Sequence, residues 1–156
     1  MKIWKYLSSE NIFLGLTFAS KDGILRYVAD ACRHAGIVQN SEPIYQGLVL
    51  RENLMSTGVG GGIALPHTTC ADVEDAVVML VRLASAVDFE AIDNLPVDIV
   101  LALIIPERNR SLHLRILAGI SRLCKNVDFM NAVRTETDPK KLRDAIENIE
   151  NHMAFH

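Results

Sequence analysis

The stretch Arg51–His67, RENLMSTGVGGGIALPH, gathers residue types that can do chemistry. Glycines at 58, 60, 61 and 62 let the backbone take positive φ and approach a neighbour closely. Pro66 fixes its own φ and drives Leu65 into an extended conformation. That leaves His67 on a stiff, short strand end, facing a loop whose N–H groups are uncovered. An imidazole with an ordinary pKa of about 6.5 keeps an unprotonated nitrogen at neutral pH and can act as a nucleophile. Successive glycine N–H groups can form a nest for an anion, and a guanidinium such as that of Arg51 can pair bidentately with phosphate oxygens. Together these groups suit phosphoryl or acyl transfer. The same letters also fit a glycine-rich hairpin closed by a structural histidine. Arg51 is then a solvated helix-end charge, and Ser56 and Thr57 are turn formers. Two nucleotide-binding motifs are excluded. No Gly-Lys-Ser/Thr follows the glycines, and a proline with a strand, not a helix, comes next.

The elements that must position these groups alternate between helix and strand. Asn11–Ala19 reads as a strand or edge segment. Ser20 is a plausible cap for a helix carrying Leu25, Val28, Ala29 and Cys32, which stops at Gly36. Ser41 with Pro43 opens a second helix through Ile44 and Leu48 toward Leu54. After the glycines comes the short apolar run Ile63–Leu65. Ala76–Leu83 and Val97–Ile105 are near-continuous apolar runs, as buried strands are. Leu112, Ile116, Leu117, Ile120 and Leu123 then follow at helical spacing, with His113 near the start. Asp138–Pro139 caps a last helix through Leu142, Ile146 and Ile149. Strands without intervening helices after Gly58 predict a mixed sheet, and the helices predict a layered α/β/α sandwich around it.

The bulk properties narrow the class. The 156 residues are 49% apolar and 22% charged, which fits one globular domain over 1–151 with a frayed tail at 152–156. Lys and Arg number 16 against 19 Asp and Glu, a net charge of −3, so the broad basic field of a nucleic-acid binder is missing. No apolar run is long enough to span a bilayer, and no signal-peptide core follows the opening MKIWKYLSSEN. The expectation is a cytoplasmic protein. Cys32, Cys70 and Cys124 lack metal-site spacing and read as reduced core thiols. No third ligand clusters with a histidine in a metal-binding spacing, so no metal site is expected.

The run in register from Glu52 through Val59, Gly60, Ile63, Ala64, Leu65, Pro66 and His67 resembles the active-site signature of the fructose/mannitol-type enzyme IIA domains. These domains belong to the bacterial phosphoenolpyruvate-dependent sugar phosphotransferase system, and the chain is most similar to their stand-alone nitrogen-regulatory branch. Thr68 departs from the pattern, which places Gly, Ala or Cys there. The resemblance continues through Phe89–Glu107 and His113–Leu123. It implies an α/β sandwich with a mixed sheet and a phosphocarrier that takes phosphate from an HPr-type carrier protein onto His67. His113 then matches the second active-site histidine and Arg51 an arginine near the phosphohistidine. Ser56 and Thr57 match the hydroxyl pair around it, with Gly58 and Gly60 beside the phosphate. No cofactor is implied. The implied partners are the carrier and either a regulatory target or, in the alternative sugar-uptake role, an enzyme IIB. Because the substrate is a protein, an apolar docking rim is expected from Val59, Ile63, Leu112 and Leu114, with charge from Arg108 and Arg110. A binding module that kept the fold but lost transfer is the rival of another class, and the intact His67, His113 and Arg51 stand against it.

Overall fold

The computed structural model describes residues 1–153. Its frame is two long antiparallel strands, β5 (Val77–Val87) and β6 (Val97–Pro106). Both are apolar on each face because both faces are covered. On β6, Val100, Ala102 and Ile104 point to one layer, and Ile99, Leu101, Leu103 and Ile105 to the other. The first layer is completed by α1 (Lys21–His34) and α2 (Glu42–Leu54). The second is completed by α3 (Arg110–Cys124), α4 (Val127–Thr135) and α5 (Pro139–His152). The expected α/β/α sandwich is therefore the observed one.

The sheet order is β1–β5–β6, then β3 and β2, with β4 also pairing with β6. The short strands are β1 (Ile12–Leu16), β2 (Gly58–Gly60), β3 (Ile63–Ala64) and β4 (His67–Cys70). Both β3 and β4 run parallel to β6 in one continuous register, with Ile63 opposite Ile99 and His67 opposite Leu103. They form one strand interrupted at Leu65–Pro66. There Pro66 has no N–H to give, and the Leu65 N–H turns away to donate to the Thr57 carbonyl at 2.9 Å. The sheet is mixed, as expected.

Helix boundaries follow their caps. Ser20 accepts the Gly23 N–H, and Asn109, Asn126 and Asp138 cap α3, α4 and α5 in the same way. Ser41 does not cap α2. Its hydroxyl donates to Asp30 across the α1–α2 interface at 3.1 Å. Several expectations are corrected. The strand read over Asn11–Ala19 contracts to β1, whose register breaks at Gly15 (φ +80°). Helix α4 went unread because only Phe129 and Val133 of its nine residues are buried, too few for a periodic signal. The tail read over 152–156 begins inside α5: His152 is its last residue and bonds the Asn148 carbonyl at 2.7 Å. Residues 154–156 lie outside the described residues.

The segments around residues 3 and 150 are joined. Glu150, only 4% exposed, accepts the backbone N–H of Ile3 at 2.8 Å and of Trp4 at 2.6 Å. Cys32 and Cys70 are buried and Cys124 half-buried, all as free thiols. Burial pushes Cys32 up to about 12 and Cys124 up to about 11, so both are poor nucleophiles at neutral pH.

The departure at Thr68 has a structural counterpart. Its side chain presses on Gly47 of α2, where an added Cβ would collide with the threonine hydroxyl. Gly47 therefore lets α2 approach β4, and α2 carries Arg51. We expect Gly47→Ala to incur overpacking of about 1–3 kcal/mol against a helix-propensity gain of about 1 kcal/mol. Thr68→Ala added to it should release that gain, so urea denaturation of the four-member cycle should show favourable coupling. Additive effects would mean that the contact does not set this spacing.

Candidate active site

The structure brings His67, Arg51 and His113 together from three elements. His67 opens β4. Its Nδ1 lies 2.8 Å from the Leu65 carbonyl, and a carbonyl only accepts, so Nδ1 carries the proton. The other ring nitrogen, Nε2, is left with its lone pair and accepts from Arg51 Nε at 3.3 Å. Arg51, in the last turn of α2, is held by a second bond from Nη1 to the Met55 carbonyl at 2.8 Å. His113 stands in the first turn of α3, its ring centroid 5.3 Å from that of His67 and its plane inclined by 66°. Its Nε2 is buried without a hydrogen-bond partner among the described residues.

Both imidazoles are biased toward the neutral form. Burial, then the Arg51 cation and the neighbouring His113, push His67 below its ordinary value, although the Leu65 carbonyl opposes the shift. Burial and then Arg51 act likewise on His113. A neutral His67 with a free Nε2 is a competent nucleophile at pH 7. The nucleophilic reactivity of His67 should therefore stay flat from pH 8 down past the ordinary imidazole value of about 6.5 and fall only below it. The linkage has one sign. Imidazoles depressed in the folded state bind protons more readily when unfolded, so folding stability is lost as pH falls through about 6.5 toward the folded values. A pH–rate profile and a pH series of thermal melts check both statements. A rate already halved at pH 7 would contradict the neutral assignment.

Glu52, next to Arg51, is 7% exposed and pins the loop that follows α2. It accepts from the Thr57 N–H at 3.0 Å and from the Thr57 hydroxyl at 2.6 Å. Lys21 of α1 reaches the same carboxylate at 3.3 Å. Because Thr57 then pairs with Leu65, and Leu65 with His67, one chain of hydrogen bonds runs from Glu52 to the imidazole. The motif placed Glu52 in register without showing this task. Its burial beside a hydroxyl partner five residues on is the signal that would have revealed it.

A cavity of about 690 Å³ opens in front of His67. Ser56, Thr57 and Gly58 line it and Gly60 does not. The expected hydroxyl pair is engaged elsewhere, since Ser56 donates to the Phe89 carbonyl and Thr57 to Glu52. The anion nest is likewise filled by the chain itself. Gly61 donates to Asp93 at 3.0 Å and Gly58 to Ser56 at 3.0 Å. The glycine loop thus closes on its own Ser56 and on Asp93 of the β5–β6 connection. Leu117 and Ser121, one and two turns beyond His113 on α3, complete the wall together with Glu90 and Ile92. The helical spacing from His113 was the available signal for those two. The rim is apolar and open: Met55, Val59 and Ile92 line the cavity and are exposed, and Leu114, expected there, is exposed but does not line it. Ile63 and Leu112, expected there, are core residues instead, covered by α3 and the sheet. Arg108 and Arg110 are exposed as expected. No helix is long and apolar enough to cross a membrane, and no cluster of three or more His, Cys, Asp or Glu side chains could hold a metal, among the described residues.

This architecture has relatives. Residues 5–149 match the family model described as phosphoenolpyruvate-dependent sugar phosphotransferase system, EIIA 2. A nitrogen regulatory protein of Bradyrhizobium diazoefficiens is 34% identical over 143 residues, which is 91% of this chain and 92% of the relative. The fructose-specific EIIA component of a phosphotransferase system in Haloferax volcanii is 28% identical over 131 residues, covering 84% of this chain and 85% of its own. Among solved structures, nitrogen regulatory protein IIA-Ntr from Neisseria meningitidis superposes with a TM-score of 0.84 at 26% identity, over 92% of this chain and 98% of that one. With a match along nearly its whole length and the family's sandwich around its histidines, the chain belongs to the EIIA 2 family of the phosphoenolpyruvate-dependent sugar phosphotransferase system and is a phosphotransferase component.

Proposed function

We propose that Nε2 of His67 accepts a phosphoryl group from the phosphohistidine of a small HPr-type carrier protein in the cytoplasm, and that the phosphorylated chain acts mainly as a regulator. The observation that carries this is the fixed tautomer: Nδ1 bonded to the Leu65 carbonyl and Nε2 turned to Arg51. The donor's N–P bond breaks as the bond to Nε2 forms. No proton has to leave, because Nε2 holds none, and the positive charge that develops on the ring is met by the Leu65 carbonyl at Nδ1. Transfer of this kind passes through a loose, in-line transition state, so the protein chiefly positions groups and stabilises charge. Arg51 swings from Nε2 to the incoming oxygens, and the unpartnered Nε2 of His113 is the second contact. The α3 N-terminus beside it favours the anion.

The 34% identity to a nitrogen regulatory protein over nearly the full length of both chains favours the regulatory reading. The fructose-specific relative supports the alternative, in which the phosphoryl group passes to an enzyme IIB. The apolar rim of Met55, Val59 and Ile92 suits a protein substrate in either case. Incubation with phosphoenolpyruvate, enzyme I and an HPr-type carrier, followed by intact-mass analysis, tests the proposal. The expected result is a single acid-labile, alkali-stable phosphoryl group. Absence of any mass gain with every carrier tried would refute it, and rapid discharge to an enzyme IIB would move the role to uptake.

Arg51 has a measurable share. Losing a charge-assisted contact costs about 1.5–3 kcal/mol, so Arg51→Ala should slow acceptance about ten- to a hundredfold with the fold intact. Arg51→Lys should recover only part, because an ammonium cannot bond bidentately. Unchanged single-turnover rates in Arg51→Ala would remove the guanidinium from the reaction.

A further inference from the structure

The first residue of α1 breaks a local rule. Lys21 puts a cation at the N-terminus of a helix, where the backbone dipole disfavours it. Asp22 beside it is the residue type that suits this turn. The lysine does not extend into solvent. Its side chain is 21% exposed, and its ammonium is drawn to three oxygens. They are Glu52 Oε1 at 3.3 Å, the Phe89 carbonyl at 3.4 Å and, at the surface, Glu90 Oε1 at 3.6 Å. The ring of Phe89, fully buried, has its centroid 5.7 Å from the same ammonium.

These partners join two segments that line the cavity of His67. Glu52 starts the hydrogen-bond chain through Thr57 and Leu65 to the imidazole. The Phe89 carbonyl also accepts from the Ser56 hydroxyl, and Glu90 and Ile92, just beyond it, form one wall of the cavity. Glu90 takes φ +55°, a conformation that a residue other than glycine keeps only when its surroundings fix it. Thr57 meets the buried Glu52 carboxylate with neutral donors, and Lys21 is the one cation paired with it among the described residues. Lys21 itself does not line the cavity.

We propose that Lys21 is a positioning residue for phosphoryl acceptance: it anchors Glu52, and through it the His67 ring, and ties the β5–β6 connection to the same carboxylate. The ammonium stands outside the cavity where the phosphoryl group arrives, so its influence runs through Glu52. Its effect on rate rests on the phosphoryl-transfer reading; its effect on the ring belongs to the resting protein and needs no carrier.

Four variants of the full chain test it: Lys21→Met, Lys21→Arg, Glu52→Gln, and Lys21→Met combined with Glu52→Gln. Lys21→Met removes a cation that the helix end disfavours, so α1 should still form. In single-turnover acceptance from an HPr-type carrier, Lys21→Met should lower the limiting rate about tenfold and leave the half-saturating carrier concentration unchanged. Lys21→Arg should restore most of the rate, and the double variant should fall no further than Glu52→Gln alone. In NMR spectra of the unphosphorylated chain, the Nδ1 proton of His67 should exchange with water faster in Lys21→Met than in the parent or in Lys21→Arg, with the β5 and β6 resonances in place. An Nδ1 proton that exchanges at the parent rate, losses that add in the double variant, or a defect confined to the half-saturating concentration would overturn the assignment. Should no carrier phosphorylate the parent, the phosphoryl-transfer reading fails by itself, and the exchange rates still decide whether Lys21 holds the ring.

Discussion

His67→Ala is expected to accept no phosphoryl group at all, from any carrier, while unfolding with nearly the stability of the parent. The side chain is only partly buried at the mouth of a cavity, so its removal leaves space that water already reaches. The nucleophilic Nε2, however, has no substitute. The nearest imidazole, His113, has its ring centroid 5.3 Å away in the first turn of α3. Its nitrogen lacks the carbonyl partner that makes His67 both rigid and correctly protonated. The contrast is therefore with His113→Ala. That variant should still be phosphorylated at position 67, about ten- to a hundredfold more slowly, the worth of one hydrogen bond to a charged group. The phosphoryl group brings roughly two negative charges beside His113 and should raise its depressed pKa. Intact mass with phosphopeptide mapping reads the first effect, and imidazole NMR titration with and without phosphorylation reads the second. Phosphate on His113, or a His113 pKa that falls on phosphorylation, would reverse the two roles.

Removing the Glu52 carboxylate should be the most damaging substitution for the fold. Glu52→Ala strands three donors at once: the Thr57 N–H, the Thr57 hydroxyl and, in part, Lys21. Each buried neutral donor left without an acceptor costs about 1–3 kcal/mol, so the two on Thr57 together cost about 2–6 kcal/mol, which for a chain of this size is a fall in melting temperature of about 10 °C. Lys21 has a second, exposed partner in Glu90 at 3.6 Å, so the loss comes mainly from Thr57. A functional effect accompanies it. Thr57 holds Leu65, and Leu65 holds the His67 ring, so slackening the first bond loosens the last. Glu52→Gln keeps one acceptor and should restore most of the stability and part of the rate. Thermal melts and single-turnover phosphorylation of the two variants separate these contributions. A Glu52→Ala chain that melts with the parent would show that Thr57 is held by other means.

What could be read from the letters depended on how local the cause was. The β5 and β6 runs were legible because a strand covered on both faces has to be apolar at every position. The α1 and α5 caps were legible because Ser and Asp at a helix start act within a turn. The meeting of His67 with Arg51 could be named from the resemblance alone, since it depends on α2 approaching β4 through Gly47, a contact between residues distant in sequence. The glycine loop misled for a related reason. Glycine announces that the backbone is free to turn; it does not say what the turned N–H groups will meet. Here Gly61 meets Asp93, which no spacing rule connects to it, while Gly58 meets Ser56 in a local turn. Ile63 and Leu112 were expected at a protein-docking rim, but both faces of β3 are covered and Leu112 lies on the inner face of α3, so both are buried.

The Glu150 carboxylate, which closes on the amides of Ile3 and Trp4, also sets an order of assembly. Contacts this far apart along the chain form late, because a long loop must close first. The turn at Ile3–Tyr6 must wait, with Ile3 and Leu7 uncovered, until the segment carrying Glu150 is available to close on it. The central strands and the first helix pair can already be seated by then. Folding therefore includes an interval in which a nearly folded body still leaves the apolar segment around Ile3 and Leu7 unsheltered, a stage at which a chaperone has something to hold.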